Sequence, residues 1–393
     1  MDRNSVIIAA KRTPVGSFQG TLSSVSAPNL GAATIQSILK ETDIEPSIID
    51  EVILGNVLSA GLGQAPARQA TIYSGLSNTT EALTINKMCG SGLKAVMLAD
   101  QSIRCGDAEV IIAGGMESMS NAPYFFPNAR HGQRLGHGKI FDSMLHDGLW
   151  DAYTDQHMGN CAEILSRDRN YTREAQDEFA LTSYKRAQTA QAQGVFDSEI
   201  TPINIHQRKG DSTIVSEDEE PGKARFEKIP TLSPAFEKDG VITAANASKL
   251  NDGAAAILIM SDDKAEDLKL SPIVKILAQA SAAHEPEWFT TAPGKAIGKV
   301  LDKAGLTASD INLWEINEAF SAVALAAIDD YSIDPAKVNI YGGAVALGHP
   351  IGASGARILT TLLNGMRRNT SKYGLATLCI GGGEASAVIV EKV

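Results

Sequence analysis

Twice in this chain a Gly-rich turn runs straight into an amphipathic helix, which leads to a strand ending in glycines. The first copy is Cys89-Gly90-Ser91-Gly92. Its helix carries Leu93, Val96, Met97 and Ile103 at helical spacing, stops at Gly106, and is followed by a strand-like run at 109–113 closed by Gly114-Gly115. The second is Ile351-Gly352-Ala353-Ser354-Gly355. Its helix carries Ile358, Leu359, Leu362, Leu363 and Met366, and the following strand 375–379 runs into Gly381-Gly382-Gly383. Turn, helix and strand recurring in one order indicate an internal duplication. The two glycine turns are expected to face each other, which makes the cleft between them the candidate site.

The rest of the pattern is α/β. A β-branched run at 6–10 is followed by Leu30, Ala33, Thr34 and Ile38 at helical spacing, and then by strand-like residues 52–58. The last third repeats the plan: a strand at 273–277, a helix at 296–304, a strand near 313–316, a long helix from Glu318 and a strand at 338–341. Such alternation implies sheets covered by helices. Residues 121–247 differ in texture, with most of the histidines, the charge run 216–220 and few long apolar strands, and read as an inserted loop domain. Residues 254–260 look like a buried strand returning to the first half. The expected organisation is an N-terminal half at 1–120, completed by about 248–270, the loop domain 121–247 and a C-terminal half at 271–393.

Hydrophobic residues at 44% and charged residues at 21% match ordinary soluble domains and argue against disorder or a membrane protein. Apolar runs such as 253–260 are far shorter than the roughly 20 residues of a membrane-spanning helix. Residues 1–13 resemble neither a signal nor a transit peptide, so a cytoplasmic location is expected. The formal charge of −11 disfavours general attraction to nucleic acid or anionic membrane. Four scattered cysteines fit reduced thiols better than a disulfide scaffold or zinc site.

Cys89 lies just ahead of a helix that begins through glycines. Free N–H groups and the positive helix end should face its sulfur and favour thiolate, the form a nucleophile needs. A thiol packed under a glycine turn is an equally good local reading. Gly348-His349-Pro350 precedes the second helix start and offers a stiffly held base for Cys89, with a satisfied turn histidine as the plain alternative. Cys379 stands beside three glycines that let backbone approach a ligand and offer N–H donors to an oxyanion, which suits a second reactive thiol. Asn317 follows a strand and reads first as an N-cap, or else as an amide facing a substrate oxygen. Cys105 and Cys161 read as structural, and Met116, Met119, Phe125, Phe126, Trp150 and Trp314 as core or interface.

Four segments taken together resemble the signatures of the thiolase family, in order and over essentially the whole chain. They are Asn86-Lys87-Met88-Cys89-Gly90-Ser91-Gly92; Asn317-Glu318-Ala319-Phe320; Gly342-Gly343-Ala344 with Gly348-His349-Pro350 and the glycines 352 and 355; and Cys379-Ile380-Gly381-Gly382-Gly383. The resemblance implies an α/β fold of two similar βαβαβαββ halves in a five-layer α/β/α/β/α core, with an inserted loop domain that binds coenzyme A. It implies ping-pong chemistry, the reversible condensation of two acetyl-CoA to acetoacetyl-CoA and CoA. His349 would activate Cys89, Cys89 would carry the acetyl group, and Cys379 would deprotonate the second acetyl-CoA. One oxyanion hole would be His349 with a water held by Asn317, the other the N–H groups of Cys89 and Gly381.

Residues 147–159 look like those of the short-chain acetoacetyl-CoA thiolases. By that likeness His157 and Met158 line the acyl pocket with Leu149 nearby, Phe236, Ala244 and Ser248 border the pantetheine channel, and Ala319 and Phe320 close the pocket. No cofactor and no metal are expected, coenzyme A thioesters being substrates. Potassium is not expected because Pro221 follows Asp218-Glu219-Glu220 where mitochondrial members have a tyrosine. The family resemblance implies a homo-oligomer, a tetramer ahead of a dimer, with a hairpin around 121–133 serving assembly. A broader 3-ketoacyl-CoA thiolase and a non-catalytic acyl-CoA or lipid binder are the alternatives; intact Cys89, Asn317, His349 and Cys379 count against the latter.

Overall fold

A computed structural model describes residues 3–205 and 212–393. The first half supplies β1 (Ser5–Arg12), β2 (Glu51–Gly55), β3 (Glu81–Ile85), β4 (Val110–Ser118) and β5 (Asn251–Ser261). The second supplies β6 (Val274–Ala283), β7 (Leu313–Ile316), β8 (Tyr373–Ile380) and β9 (Glu384–Lys392). Spatial order is β3-β2-β4-β5-β1 in one half and β7-β8-β9-β6 in the other, joined where Val6 and Ile7 of β1 pair with Lys275 and Val274 of β6. Counted within each half, the first sheet runs third, second, fourth, fifth, first. With a third place left vacant after β7, the second sheet runs second, fourth, fifth, first. Parallel and antiparallel neighbours also correspond: β2 and β7 run parallel to β4 and β8, and the last two strands of each sheet are antiparallel.

Among the described residues the missing third strand survives as one bridge between Trp314 and Val338. The strand expected at 338–341 therefore does not form. Pro335 opens a short 3-10 turn, Pro335–Lys337, and Asn339 takes a left-handed φ of 46°, which ends extended pairing. The Asn339 side chain replaces it, accepting from the Ile316 N–H and donating to the Ile316 carbonyl, both at 2.8 Å. A second difference concerns β4, which passes through Gly114 and Gly115 to Ser118 instead of ending there. A Cβ on Gly114 would strike the Ala255 carbonyl, and one on Gly115 the Gly352 carbonyl, so these glycines allow close approach rather than a turn.

Helices α1 (Ala27–Thr42) and α2 (Pro66–Tyr73) cover the outer face of the first sheet, and α6 (Ala292–Ala304) and α7 (Ser321–Tyr331) that of the second. Between the sheets lie α3 (Ser91–Cys105) and α8 (Ser354–Asn369). Period-2 alternation sorts the strand residues: Ile53 faces the middle layer with Leu93, Val96, Ile358 and Leu362, while Val52 and Leu54 face Leu30, Ile35 and Ile38 of α1. The result is the five-layer α/β/α/β/α stack, with βαβαβαββ order in the first half. At the centre, a Cβ on Gly92 would lie 2.8 Å from the Ala356 nitrogen, and one on Gly355 would strike the Leu93 nitrogen. One glycine from each half thus sets how closely α3 and α8 pack.

Residues 121–247 leave the sheet between β4 and β5 and carry α4 (Met158–Asp168) and α5 (Arg173–Ala192). They are tied back through fully buried Arg12 of β1, which donates to Glu199 at 2.6 Å and to both oxygens of Asp218 at 2.7 and 2.9 Å. Removing one partner of such a pair leaves a buried charge and costs about 3–5 kcal/mol. No helix among the described residues is long and apolar enough to cross a membrane.

Candidate active site

Cys89 is set by a turn between β3 and α3. Met88, with φ of 46°, presents it, and Ser91 fixes the turn by accepting from the Lys87 N–H at 2.8 Å and donating to the Met88 carbonyl at 2.6 Å. A Cβ on Gly90 would strike Ile380, so glycine there lets the end of β8 pass beside the nucleophile segment. The thiolate expected from this helix start is not the resting form. Burial pushes the Cys89 thiol up to about 11, against the lowering effect of the Gly381 and Cys89 N–H groups and with nearby Glu117 adding to the rise. Two N–H dipoles do not offset the lost hydration of a full charge.

His349 precedes α8. Its N–H donates to the Asn251 side chain at 2.8 Å, and Gly348, at φ of 109°, leaves room for that asparagine. Nδ1 lies 2.6 Å from the Ser354 hydroxyl, whose own proton goes to the Pro350 carbonyl at 2.9 Å. The serine lone pair therefore faces the ring, Nδ1 carries the proton, and Nε2 is a bare base. Nε2 is buried without a hydrogen-bond partner among the described residues. Burial, with Arg357 adding, lowers the imidazole to about 3, so the ring is neutral at pH 7.

Asn317 and Cys379 stand directly behind these groups, both fully buried. The Asn317 N–H continues strand pairing to the Thr377 carbonyl at 3.0 Å, and α7 begins only at Ser321, with Phe320 at its cap position. The N-cap reading of Asn317, and the helix start at Glu318, are thereby corrected. Its Nδ2 lies 3.5 Å from His349 Nδ1, and its Oδ1 is buried without a partner among the described residues. Burial raises the Cys379 thiol well above its ordinary value, and proximity to Cys89 raises it further.

A cavity of about 350 Å³ opens in front. Cys89, His349 and Gly381 line it together with Leu149, His157, Met158, Phe236, Ala244, Ser248, Ala319 and Phe320. Asn317 and Cys379 are outside this lining. His157 caps α4, its Nδ1 accepting the Gly159 N–H at 2.9 Å, so the ring proton sits on Nε2. The ring stacks on Phe236 at 4.7 Å, and Phe236 meets Phe320 edge-on at 6.1 Å. Gly159 is required because a Cβ there would enter the Phe236 ring. Met158 Sδ would lie 3.5 Å from a Cβ on Gly381, whose N–H acts on the Cys89 sulfur.

Several contributors escaped the sequence reading. Met119, Lys249, Phe289 and Ile351 also line the cavity. Behind it, buried Glu117 accepts from Asn56 Nδ2 and from the Val57, Leu58 and Gly352 N–H groups at 2.8–3.1 Å, clamping the second glycine turn to β4. Burial raises its carboxyl to about 7. Ser354 had a usable signal, since it matches Ser91 in the repeat. Asn251 and Glu117 had none, because they meet these partners across 59 to 235 residues of sequence. No cluster of three or more His, Cys, Asp or Glu suited to a metal occurs among the described residues.

Comparison with known proteins matches residues 5–263 to the thiolase N-terminal domain and residues 270–392 to the thiolase C-terminal domain. The chain is 53% identical to an acetyl-CoA acetyltransferase of Pseudomonas aeruginosa, over 98% of this chain and 99% of that one. It is 50% identical to one from Allochromatium vinosum over 100% of both. The crystal structure of Acat5 thiolase from Ascaris suum in complex with coenzyme A superimposes with a TM-score of 0.94 at 44% identity, covering 99% of this chain and 100% of that one.

Proposed function

The chain belongs to the thiolase family, and on that premise we propose that it is an acetyl-CoA C-acetyltransferase, reversibly converting two acetyl-CoA to acetoacetyl-CoA and CoA through an acetyl-Cys89 thioester. The observation that carries this reading is one cavity in which Cys89, the bare Nε2 of His349 and Gly381 meet the apolar side chains of Met158 and Phe236. As the Cys89 sulfur attacks the acetyl carbonyl, Nε2 takes the thiol proton and returns it to the departing CoA sulfur. With Cys89 near 11 and His349 near 3, that transfer is uphill in the empty site. It becomes favourable as the oxyanion forms against the Cys89 and Gly381 N–H groups. Cys379 then passes its own thiol proton to the free Nε2 of His349 and, as the thiolate, removes a methyl proton of the second acetyl-CoA. The carbanion attacks the thioester and expels the Cys89 sulfur, which takes the proton held on Nε2, while the methyl proton restores the Cys379 thiol. The raised basicity of buried Cys379 suits a weakly acidic carbon. The enolate oxygen of this step is met by the Nε2–H that His349 gained from Cys379 and by a water held by Asn317.

Met158 beside Gly381 supports a short acyl group, and residues 121–247, with Phe236, Ala244 and Ser248, are assigned to coenzyme A, between halves 1–120 with 248–270 and 271–393. We place the enzyme in the cytoplasm as a homotetramer. Exposed Tyr124, Leu135 and Ile140 on the 121–140 arm support assembly through that arm, and light scattering tests it. Incubation with acetyl-CoA followed by mass spectrometry should find one acetyl group on Cys89. No adduct, or one on Cys379, overturns the roles. Equal thiolysis of long 3-ketoacyl-CoAs overturns the short-chain assignment.

A further inference from the structure

One half-buried ionisable group in the cleft has no part in this chemistry. Lys249 contributes to the cavity wall directly after Ala247 and Ser248. Its ammonium donates to the Ala247 carbonyl at 2.8 Å and lies 3.5 Å from the Val345 carbonyl, with the Tyr184 ring 5.6 Å away. The two carbonyls belong to different segments, Ala247 in the cavity wall and Val345 behind the turn that carries His349. Ala247 bridges to Phe320, and Ser248 donates to the Ala319 carbonyl at 2.9 Å, so this segment carries the acyl-CoA side of the cavity. Val345 lies in the short helix Ala344–Leu347, which leads through Gly348 into His349. The Val345 N–H is held in turn by Glu318 at 3.1 Å. Taking an ammonium out of water is costly, and a neutral side chain of the same length would fill the space without that cost. A charge kept there points to a task that needs charge.

We propose that Lys249 is a positioning residue: its ammonium acts as a built-in cation between the Ala247 and Val345 carbonyls and holds the acyl-CoA wall in register with the turn that carries His349. The proposal rests on the reading that His349 serves Cys89. The charged and titratable groups facing the ammonium are Tyr184 from α5, Glu220 from the insertion and Glu318 from the segment after β7. Burial lowers Lys249 to about 8 while the two carboxylates pull it back up, so the clamp weakens as pH rises through that value.

The test compares wild type, Lys249→Met and Lys249→Ala in acetoacetyl-CoA thiolysis. Lys249→Met should raise KM and lower kcat, reducing kcat/KM roughly tenfold or more at neutral pH, the scale of a misplaced reacting group. The gap to wild type should narrow above about pH 8, where wild type loses the charge too. Propylammonium, but not 1-propanol, should restore Lys249→Ala. Wild-type kinetics in Lys249→Met overturns the proposal. So does a loss that is constant with pH, follows a lowered Tm and resists propylammonium, since packing alone would produce it. If wild type itself shows no thiolysis, the functional reading fails; an active wild type with an unaffected variant counts against Lys249 alone.

Discussion

The starts of α3 and α8 are one piece of local structure put to two uses. Each has a serine in its first turn and a glycine one residue later that lets the opposite helix close in. Ser91 gives both of its hydrogen bonds to the backbone of its own turn, leaving Cys89 to be oriented by main chain alone. Ser354 divides its bonds between the Pro350 carbonyl and His349 Nδ1, and so selects the tautomer of the base. Duplication supplied the frame, and the functional difference lies in where one hydroxyl points. The same burial acts with opposite sign on the two groups, lifting the acid to about 11 and depressing the base to about 3.

The comparison breaks most completely at Cys89. Cys89→Ala should abolish acetylation and lower thiolysis by on the order of 10⁴-fold or more, as loss of a nucleophile does; residual turnover with an adduct elsewhere would reverse the assignment of the halves. Next come the serines. Ser354→Ala should cut kcat roughly 10- to 100-fold, the size seen when a partner orienting a histidine is lost. Ser91→Ala should leave kcat within a few-fold but lower stability by about 1–3 kcal/mol, because the Lys87 N–H loses its acceptor. Equal kinetic effects from the two would mean that Ser354 does no more than Ser91.

At the helix crossing, Gly355→Ala should lower Tm more than Gly92→Ala, since the new Cβ meets fixed backbone at closer range. The cost is about 1–3 kcal/mol for overpacking of this kind. The smallest effects are those of pH. Alkylation of Cys89 by iodoacetamide in the substrate-free protein should climb steadily with pH toward about 11, whereas a thiolate–imidazolium pair would give a plateau across neutrality. His349, lowered from 6.5 to about 3, binds its proton more weakly folded than unfolded, so its share of stability is present above 6.5 and lost as pH falls toward 3. Glu117, raised from 4.5 to about 7, runs the other way: its share is present below 4.5 and lost as pH rises through 7. Urea unfolding at about pH 5 and about pH 8 should therefore show Glu117→Gln gaining on wild type at the higher pH.

Periodicity made the repeat, the layers and the two helix starts legible, because each is written in neighbouring residues. It could not register the lost third strand of the second half, since apolar residues at 338–341 look extended whether a backbone or the Asn339 amide makes the pairing. The protonation of Cys89 differs from the expectation for a related reason: helix ends are local, whereas burial is a property of the whole fold, which also brings the Gly381 N–H and the Glu117 charge to the sulfur from distant segments. The Asn317 cap reading failed because pairing to Thr377 carries the strand direction past Ile316. The family likeness pointed to His157, Met158, Phe236 and Phe320 as neighbours of one pocket, yet the stacking of His157 on Phe236 and the edge-on contact of Phe236 with Phe320 come only from the fold.

The crossing of Gly92 and Gly355 has a consequence for symmetry. Were the halves separate and identical chains, a two-fold axis through that contact would impose the same side chain at both turns. Such a dimer would hold two thiols or two imidazoles, never a donor facing its own acceptor. A single polypeptide spanning both halves keeps the contact while releasing the identity. The molecule gives up a second reactive centre and gains chemical polarity across the cleft, so that protons have a direction in which to move.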